Sequence, residues 1–389
     1  MNRDDQLTIL LTLKDRVPFT FRWMAYANSI RFPFKVCIAD GGADDSVQAV
    51  LGDRARYPEV DYQYLRYPPD RSYADFYAKV VDALSRIRTP FVAVADNDDF
   101  LVVGALRKAV AFLTDHPDHA ACGGQCAIFW VTPSAPADEP LYGRDVVWKP
   151  HADAMSVDGE TARERVWQFS RWDTSTNPHY YNVQRTEGVA GRFHAVRDAN
   201  FADLFLHEQL LAFLTAIAGK MRQLPMLYVA KQWNSPGSSA GTHHETFGDW
   251  LDRMLIPSWS PDFTTLLDVA SVALAERDRI GPDEARRCLI EAYRMEAAPA
   301  LLEAIIGEPT VRFSTPAILR LSRRLLGLTP ESGLKRFARA LYRRLRWISV
   351  DAIHGTQILG RRIANADEDI QPIHRFLTRA DDAGAGDRP

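Results

Sequence analysis

Three aspartates stand within four residues, in the order Asp96-Asn97-Asp98-Asp99, directly after the apolar run Phe91–Ala95. Carboxylates placed this close repel one another unless a cation or a polar ligand compensates their charge. Hard divalent cations such as Mg²⁺ and Mn²⁺ take oxygen ligands and often bind through one or two carboxylates together with substrate phosphates. The pattern therefore predicts a metal or nucleotide site. The competing interpretation is a turn in which an aspartate caps the helix that follows from Gly104.

A second polar turn, Asp40-Gly41-Gly42-Ala43-Asp44-Asp45-Ser46, follows the apolar run Phe34–Ala39. Its two glycines permit a tight turn and a close approach of the backbone to a ligand. The turn does not match G-x-G-x-x-G, which disfavours dinucleotide binding. The alternative is an ordinary strand-to-helix turn that is capped by Asp45 or Ser46.

Both turns belong to a chain in which short apolar runs alternate with helical segments. Strands are predicted over Leu7–Leu13, Phe34–Ala39, Val60–Leu65 and Phe91–Ala95, and helices over Val17–Asn28, Asp44–Arg54 and Tyr73–Arg88. A strand-helix-strand period of about 30 residues indicates βαβ units on a mostly parallel sheet. Ligands of such sheets bind outside the carboxyl ends of the strands, which is where both polar turns lie.

The pattern changes after residue 120. It is irregular as far as Tyr181 except for a predicted strand over Ala127–Val131, and a helix over Phe201–Lys220 and a strand over Leu224–Ala230 follow. From Phe247 onward the helical periodicity is nearly continuous. We therefore expect an α/β domain in residues 1–245, a helical C-terminal region in residues 246–380 and a frayed tail in residues 381–389.

Composition excludes several classes of protein. With 46% hydrophobic and 25% charged residues the chain is typical of globular proteins, and its net charge of -3 argues against general nucleic-acid binding. Its 4 cysteines are too few for a disulfide framework, and free thiols suit a reducing compartment. No apolar run reaches the roughly 18 residues of a membrane-spanning helix. We therefore expect a cytoplasmic location.

Five motifs in this order resemble those of bacterial glycosyltransferases of the GT-A fold, family 2 type. The resemblance covers about residues 5–235, and its motifs are Leu7–Arg16, Ala39–Asp44, Ser72–Ala83, Asp96–Asp99 and His207–Leu211. Four positions depart from the family pattern: Asp15 replaces an asparagine, Ala39 replaces an aspartate, Lys79 stands where the family usually has asparagine, and His207 replaces an acid.

The resemblance implies a mostly parallel GT-A sheet flanked by helices, and metal-dependent transfer of a sugar from a nucleotide-sugar donor to a hydroxyl acceptor, with inversion. It implies that Asp98 holds a divalent metal, Mn²⁺ or Mg²⁺, supported by Asp96 and Asp99, and that Glu208 is the base. The donor-binding residues that it implies are Thr12, Asp15, Asp40, Gly41, Lys79, Asp96 and Asn97.

The acceptor expected from the resemblance is a glycan or a lipid-linked molecule in glycoconjugate or surface-polysaccharide synthesis. Residues 312–362 carry twelve Lys or Arg and only two acids, at positions that alternate with apolar residues. This segment either contacts the inner face of the membrane peripherally or packs against the acidic remainder of the chain. The alternative function is a non-catalytic nucleotide-sugar-binding or scaffold protein of the same fold. A nucleotidyltransferase is disfavoured because the loop Lys14–Pro18 contains no glycine.

Overall fold

The computed structural model describes residues 3–133, 135, 138–151, 155–171, 179–248, 250–306, 348–349 and 366–379. The strands are β1 (Leu7–Leu13), β2 (Lys35–Asp40), β3 (Tyr62–Arg66), β4 (Phe91–Asp96), β5 (Phe100–Leu101), β6 (His119–Thr132), β7 (Asp145–His151), β8 (Ser156–Val157), β9 (Val183–Arg185), β10 (Lys220–Gln232) and β11 (Ile348–Ser349). The helices are α1 (Val17–Ser29), α2 (Ser46–Leu51), α3 (Tyr73–Arg86), α4 (Val103–Asp115), α5 (Ala162–Phe169), α6 (Thr186–Ala199), α7 (Leu204–Ala218), α8 (Ser239–Phe247), α9 (Trp250–Met254), α10 (Trp259–Asp278), α11 (Pro282–Ile306) and α12 (Ala366–Arg379).

The centre of the sheet is parallel. β3, β2, β1 and β4 lie side by side in that order, and β6 and β10 form a second parallel pair. The short strand β9 joins the two parallel parts because it pairs antiparallel with both β4 and β6. The α/β class with a mostly parallel sheet flanked by helices, predicted from the sequence, is confirmed.

Helices cover both faces of this sheet, and each face has its own apolar core. Leu7, Ile9, Leu11 and Leu13 of β1 belong to the core beneath α1 and α4, whereas Leu10 belongs to the core beneath α3, α6 and α7. The division follows from the period of two in a strand, which sends alternate side chains to opposite faces. Helices α10 and α11 extend the second core, and α12 extends the first.

The segment that the sequence leaves irregular contains the longest strand. β6 runs over His119–Thr132, well beyond the predicted Ala127–Val131. Its glycines hide the strand pattern, but they are required, because a Cβ at Gly123 would lie 2.0 Å from the Asn182 side-chain oxygen. Small residues at this point let β6 approach its neighbours closely.

The predicted helix over Phe201–Lys220 is shorter than expected. It starts at Leu204, since the Asp203 carboxylate accepts hydrogen bonds from the backbone N–H groups of Phe205 (2.8 Å) and Leu206 (3.2 Å). A side chain that bonds these otherwise unpaired donors fixes the first turn of a helix. At the other end, Gly219 is extended and leads into β10.

No helix in the described part of the chain is both long and apolar enough to cross a bilayer. The basic segment 312–362 lies outside the described residues, apart from positions 348–349, so its membrane contact stays a prediction.

The end of α7 generates a prediction about stability. Arg165, 3% exposed, donates from Nε to the Ala216 carbonyl (2.7 Å) and from a terminal nitrogen to the Ile217 carbonyl (2.8 Å). Arg165→Met leaves these carbonyls unpaired, so we expect the free energy of unfolding in urea to fall by about 2 kcal/mol or more. Arg163→Met is the matched control, since its pair with Glu284 (3.2 Å) is half exposed and contributes at most about 1 kcal/mol. Equal losses in both variants would contradict this account of the α7 terminus.

Candidate active site

The aspartates after β4 form a compact cluster. Asp96, Asp98 and Asp99 each place one carboxylate oxygen within 4.8 Å of the others, and Asp98 and Asp99 are 6% and 4% exposed. No helix-capping bond explains them, since the helix that follows is capped by Val102 without a side-chain bond. The capping alternative for this motif therefore does not describe the structure.

One tyrosine hydroxyl joins two of the three aspartates. Tyr181 Oη lies 2.8 Å from an Asp96 oxygen and 2.6 Å from an Asp99 oxygen. A hydroxyl has one proton to donate, so the two short contacts need a second proton on the carboxylates. Burial, followed by the charge of Asp98, raises the pKa of Asp99 to about 7, so Asp99 can supply that proton.

Asp98 has a cationic partner. Arg16 donates to its two oxygens at 2.6 and 3.4 Å, and the same guanidinium donates to the Ser235 hydroxyl at 3.0 Å. Burial alone would raise the pKa of Asp98, but the Arg16 charge holds this pKa below its usual value. Asp15 and Arg16 both have left-handed backbone angles, φ of 55° and 51°, which are unfavourable for residues with side chains. The turn after β1 thus adopts a strained shape that brings Arg16 to the aspartates.

Two further cations lie around the cluster. Arg22, 1% exposed, donates to the Asp98 carbonyl (2.9 Å) and to the Gln232 side chain (2.6 Å). Lys231 is the second-last residue of β10. Burial alone would lower its pKa, but the charges of Asp99 and Asp96 raise it. The three carboxylates are therefore compensated mainly by Arg16 and Lys231.

This donor set fits a hard divalent cation. All three side chains offer oxygen atoms, which Mg²⁺ and Mn²⁺ prefer, and their mutual spacing suits a single ion. The hydrogen bonds of Arg16 occupy the Asp98 oxygens, so a cation at this position competes with the guanidinium. The binding of metal and the position of Arg16 are thus linked.

Asp40 is held from three sides. Its oxygens accept from the Gly42 N–H (2.8 Å), the Tyr64 hydroxyl (2.5 Å) and the Arg66 guanidinium (2.9 Å), and it is 1% exposed. Asp45 occupies the N-cap position of α2, but its side chain makes no capping hydrogen bond. The carboxylate at the end of β2 is thus fixed in one orientation at the same sheet edge as Asp96.

A buried ion pair supports the Asp40 turn. A Cβ on Gly41 would lie 2.3 Å from the Asp70 carboxylate, so the close approach requires glycine. Asp70 pairs with Lys79, which also donates to the Leu13 carbonyl at 2.8 Å. Burial lowers the pKa of Lys79, and the Asp70 charge opposes that effect. The predicted donor-binding Lys79 therefore lies beneath the turn, where it ties β1 to the Asp40 loop.

Three more residues of the predicted site lie nearby. The Thr12 hydroxyl donates to an Asp96 oxygen at 3.3 Å, and Asp15 accepts from the Ala43 N–H at 3.0 Å. Asn97 donates to the Thr20 hydroxyl at 3.0 Å, on the side of α1. The structure brings the predicted nucleotide and metal residues to one edge, and their binding roles stay predictions.

Glu208 lies on α7, facing the same edge. Burial raises the pKa of its carboxyl to about 7; the charge of Lys231 opposes this shift and that of Asp96 adds to it. A carboxyl group with a pKa near the working pH is suited to taking a proton during a reaction. Glu208 therefore has the chemistry of a general base.

The other candidates on and around α7 are structural. Asp203 caps the helix and accepts from Arg253 at 3.0 Å, and despite burial Arg253 and the nearby His243 hold its pKa low. His207 is fully buried and stacks on Tyr77 with a centroid distance of 4.6 Å, and burial lowers its pKa to about 4. His243 is also buried and contacts the Tyr73 hydroxyl at 3.0 Å, so it belongs to the packing of this region.

Sequence reasoning missed the partners of the aspartates. In the sequence Arg16 is only the last residue of the motif Leu7–Arg16, and no motif marks Tyr181, Lys231 or Ser235 as site residues. A signal exists for Lys231, since this lysine directly follows the apolar residues 226–230 near the end of a strand. Tyr181 and Ser235 lie far from the aspartates in sequence, and nothing local marks them.

No protein-family model matches the chain. A segment of 98 residues is 32% identical to Uncharacterized protein Rv1520 of Mycobacterium tuberculosis and to Uncharacterized protein Mb1547 of Mycobacterium bovis. The match covers 25% of this chain and 27% of each relative, so the chain spans about a quarter of the length of the curated relatives it matches.

Solved structures similar in fold include a mannosyltransferase and S. aureus TarS. The mannosyltransferase PcManGT of Pyrobaculum calidifontis, in complex with GDP-Man and Mn²⁺, has a TM-score of 0.39 and 14% sequence identity to this chain. The match covers 84% of this chain and 81% of the mannosyltransferase. S. aureus TarS 1–349 in complex with UDP has a TM-score of 0.42 and 14% sequence identity, and the match covers 80% of this chain and 94% of TarS 1–349. The match to the longer TarS chain covers 55% of that chain. Both TM-scores lie below 0.5, so the evidence for the function of this chain lies in its own site.

The contact between Arg16 and Asp98 generates a prediction. Arg16→Gln leaves a buried carboxylate without its cation, so we expect the free energy of unfolding to fall by about 3 kcal/mol in metal-free buffer. Arg107→Gln is the matched control, because its pair with Asp4 (2.8 Å) is half exposed and contributes about 1 kcal/mol or less. The double variant Arg16→Gln/Asp98→Asn should recover most of the loss. If it loses as much as Arg16→Gln alone, the pair does not carry the effect.

Proposed function

We propose that this protein is a glycosyltransferase that moves a sugar from a nucleotide-sugar donor to a hydroxyl group of an acceptor, with a divalent metal and with inversion. The observation that carries the proposal is the arrangement at one sheet edge. The carboxylates of Asp96, Asp98 and Asp99, the last two of them buried, offer oxygen ligands for a cation. A separate glutamate, Glu208, interacts electrostatically with Asp96 and has a pKa of about 7.

The donor binds across the carboxyl ends of β1, β2 and β4 in this proposal. Asp40 lies in the turn that receives the nucleobase, with Gly41 allowing the close approach and Lys79 and Asp70 supporting the turn from beneath. Thr12, Asp15, Asp96 and Asn97 lie along the path from that turn to the aspartate cluster. The similar structures with UDP and with GDP-Man suggest which donors to test first.

Asp98, Asp96 and Asp99 are the residues that would hold the metal. A divalent cation bound there supplies positive charge that stabilises the negative charge growing on the departing nucleoside diphosphate. Arg16 and Lys231 contribute to the same end, since both are positively charged and lie at the cluster. If a cation held the Asp98 carboxylate, the Arg16 guanidinium would be able to bind phosphate oxygens bidentately instead.

Glu208 takes the proton of the acceptor. As the acceptor oxygen forms a bond to the anomeric carbon, the bond from that carbon to the diphosphate breaks, and its electron pair leaves with the nucleoside diphosphate. The hydroxyl proton passes to the Glu208 carboxylate. A single displacement of this kind inverts the anomeric configuration. Lys231 keeps Glu208 partly ionised near neutral pH, because its charge opposes the effect of burial.

The proposal predicts the effect of removing the base. Glu208→Gln keeps the size of the side chain but cannot accept a proton, so we expect turnover of UDP- or GDP-sugars to fall by about 10² to 10⁴. Asp99 has a similar pKa in the absence of metal, so the assay uses saturating Mn²⁺, whose charge would keep Asp99 ionised. Wild-type turnover should then rise with pH through an apparent pKa of about 7, the value for Glu208, and this rise should be absent in the variant. Donor affinity, measured calorimetrically, should stay near normal.

The matched control for this prediction is Glu187→Gln, which removes an exposed carboxylate from the neighbouring helix α6. Its turnover should match that of the wild type. A decrease of less than tenfold in Glu208→Gln would contradict the assignment of the base. Normal donor binding without any transfer in the wild type would instead favour a nucleotide-sugar-binding or scaffold protein.

The metal assignment predicts a second loss of activity. Asp98→Asn should abolish both transfer and its dependence on Mn²⁺ or Mg²⁺, and EDTA should stop transfer by the wild type. Since Asp98 is also the partner of Arg16, circular dichroism has to establish that the variant is folded at the assay temperature. Asp61→Asn, a change at the exposed residue just before β3, is the control. Full wild-type activity in EDTA would contradict metal dependence.

A further inference from the structure

A small cavity lies beside Glu208, on the side of the helical C-terminal region. It has a volume of about 60 Å³, and besides Glu208 its polar lining comes from His179, Gln209, Arg253, Tyr293 and Glu296. A cavity of this size holds a few water molecules or one small hydroxyl-bearing group. The cavity thus joins the proposed base to residues of α9 and α11 that no sequence motif includes.

Two side chains in this cavity are buried without hydrogen-bond partners among the described residues. His179 is 6% exposed with neither ring nitrogen bonded, and Gln209 is 7% exposed with its amide nitrogen unbonded. A buried polar group that lacks a partner destabilises the folded protein by about 1 to 3 kcal/mol. Groups of this kind point to a ligand that completes their hydrogen bonds.

The chemistry of the lining selects the ligand. Burial lowers the pKa of His179 to about 4, so at neutral pH its ring is uncharged and offers one donor and one acceptor. Gln209 offers donors, and Glu208 offers acceptors when ionised. Arg253 is already paired with both oxygens of Asp203 at 3.0 Å and lies over the Phe205 ring, so its charge is compensated. The lining thus combines the uncharged donors and acceptors of His179 and Gln209 with the carboxyl groups of Glu208 and Glu296. This combination suits hydroxyl groups, which both donate and accept.

We propose that this cavity is the acceptor subsite, in which His179 and Gln209 hydrogen-bond hydroxyl groups of the acceptor beside the hydroxyl that faces Glu208. The proposal rests on the proposed function, since it assigns the acceptor side of the same reaction. It identifies the acceptor as a polyol-like group, such as the edge of a sugar or a glycerol unit. Recognition of that group then depends on the helical region as well as on the α/β domain.

The first test needs no turnover. In protein labelled with ¹⁵N-histidine, glycerol is titrated as the probe, and the His179 ring signals are identified by their absence from His179→Phe. We expect glycerol to shift the His179 signals in a saturable way and to leave those of the exposed His194 in place. If the His179 signals do not move, the cavity holds only water and the proposal is wrong.

The second test uses the reaction. During turnover of the donor in the presence of glycerol, the sugar passes either to water or to glycerol, and the ratio of the two products is measured. His179→Phe and Gln209→Leu should each lower the share of glycerol by about fivefold, the effect of one lost hydrogen bond, with donor affinity unchanged. His194→Phe is the matched control and should keep the wild-type ratio. An unchanged ratio in both cavity variants overturns the subsite.

A third readout separates a binding role from a structural one. His179→Phe keeps a ring against Phe169, which packs edge-to-face with it at 5.3 Å, and removes the unbonded nitrogens. The variant should therefore unfold at the wild-type temperature or above it. A large decrease would mean that His179 holds the fold, against the proposal. Absence of donor binding and turnover in the wild type would overturn the proposed function, while the glycerol titration would still decide the cavity.

Discussion

The burial of negative charge at the end of one strand is the constraint on which the rest of the site depends. Asp98 and Asp99 are buried, Asp96 is partly buried, and the three carboxylates lie within a few ångströms of one another. Charges in such a place are tolerated only with partners, because desolvation and mutual repulsion both oppose ionisation. Two cations, from the turn after β1 and from the end of β10, compensate them, and a tyrosine before β9 bonds two of them. The sheet topology brings these three segments to the same edge, because β1 and β10 end there and the antiparallel strand β9 begins there.

This constraint also explains why the carboxyl groups of the site have different chemical properties. Asp98 is kept ionised by Arg16, which suits a ligand for a cation. Glu208 is kept near the midpoint of its titration by burial, which suits a group that takes and releases a proton. Asp203, only five residues before Glu208, is committed to the start of α7 and to Arg253 and has no such freedom. Environment, more than residue type, assigns the roles.

The sequence predicts the parts of this arrangement that are local. The first four strands and the aspartates at their ends follow from short apolar runs and the residues just after them, and β1 matches its predicted bounds. The sequence pattern predicts only part of β6, because Gly123 and its small neighbours show no alternation of apolar and polar residues. Packing against Asn182 nevertheless requires a small residue at position 123. The contacts of Tyr181 and the cavity around His179 join residues far apart in sequence. Such contacts are properties of the tertiary structure, and no single segment encodes them.

The central claim is that the aspartate cluster is a shared site for a divalent cation and a nucleoside diphosphate. Calorimetric titration of the wild-type protein with UDP and with GDP, in the presence and absence of Mn²⁺, tests it most directly. The account predicts that Mn²⁺ raises the affinity for one of these nucleotides at least about tenfold, and that the nucleotide raises the affinity for Mn²⁺ by the same factor, as linkage requires. Equal nucleotide affinity with and without Mn²⁺, or binding of neither nucleotide, would contradict it.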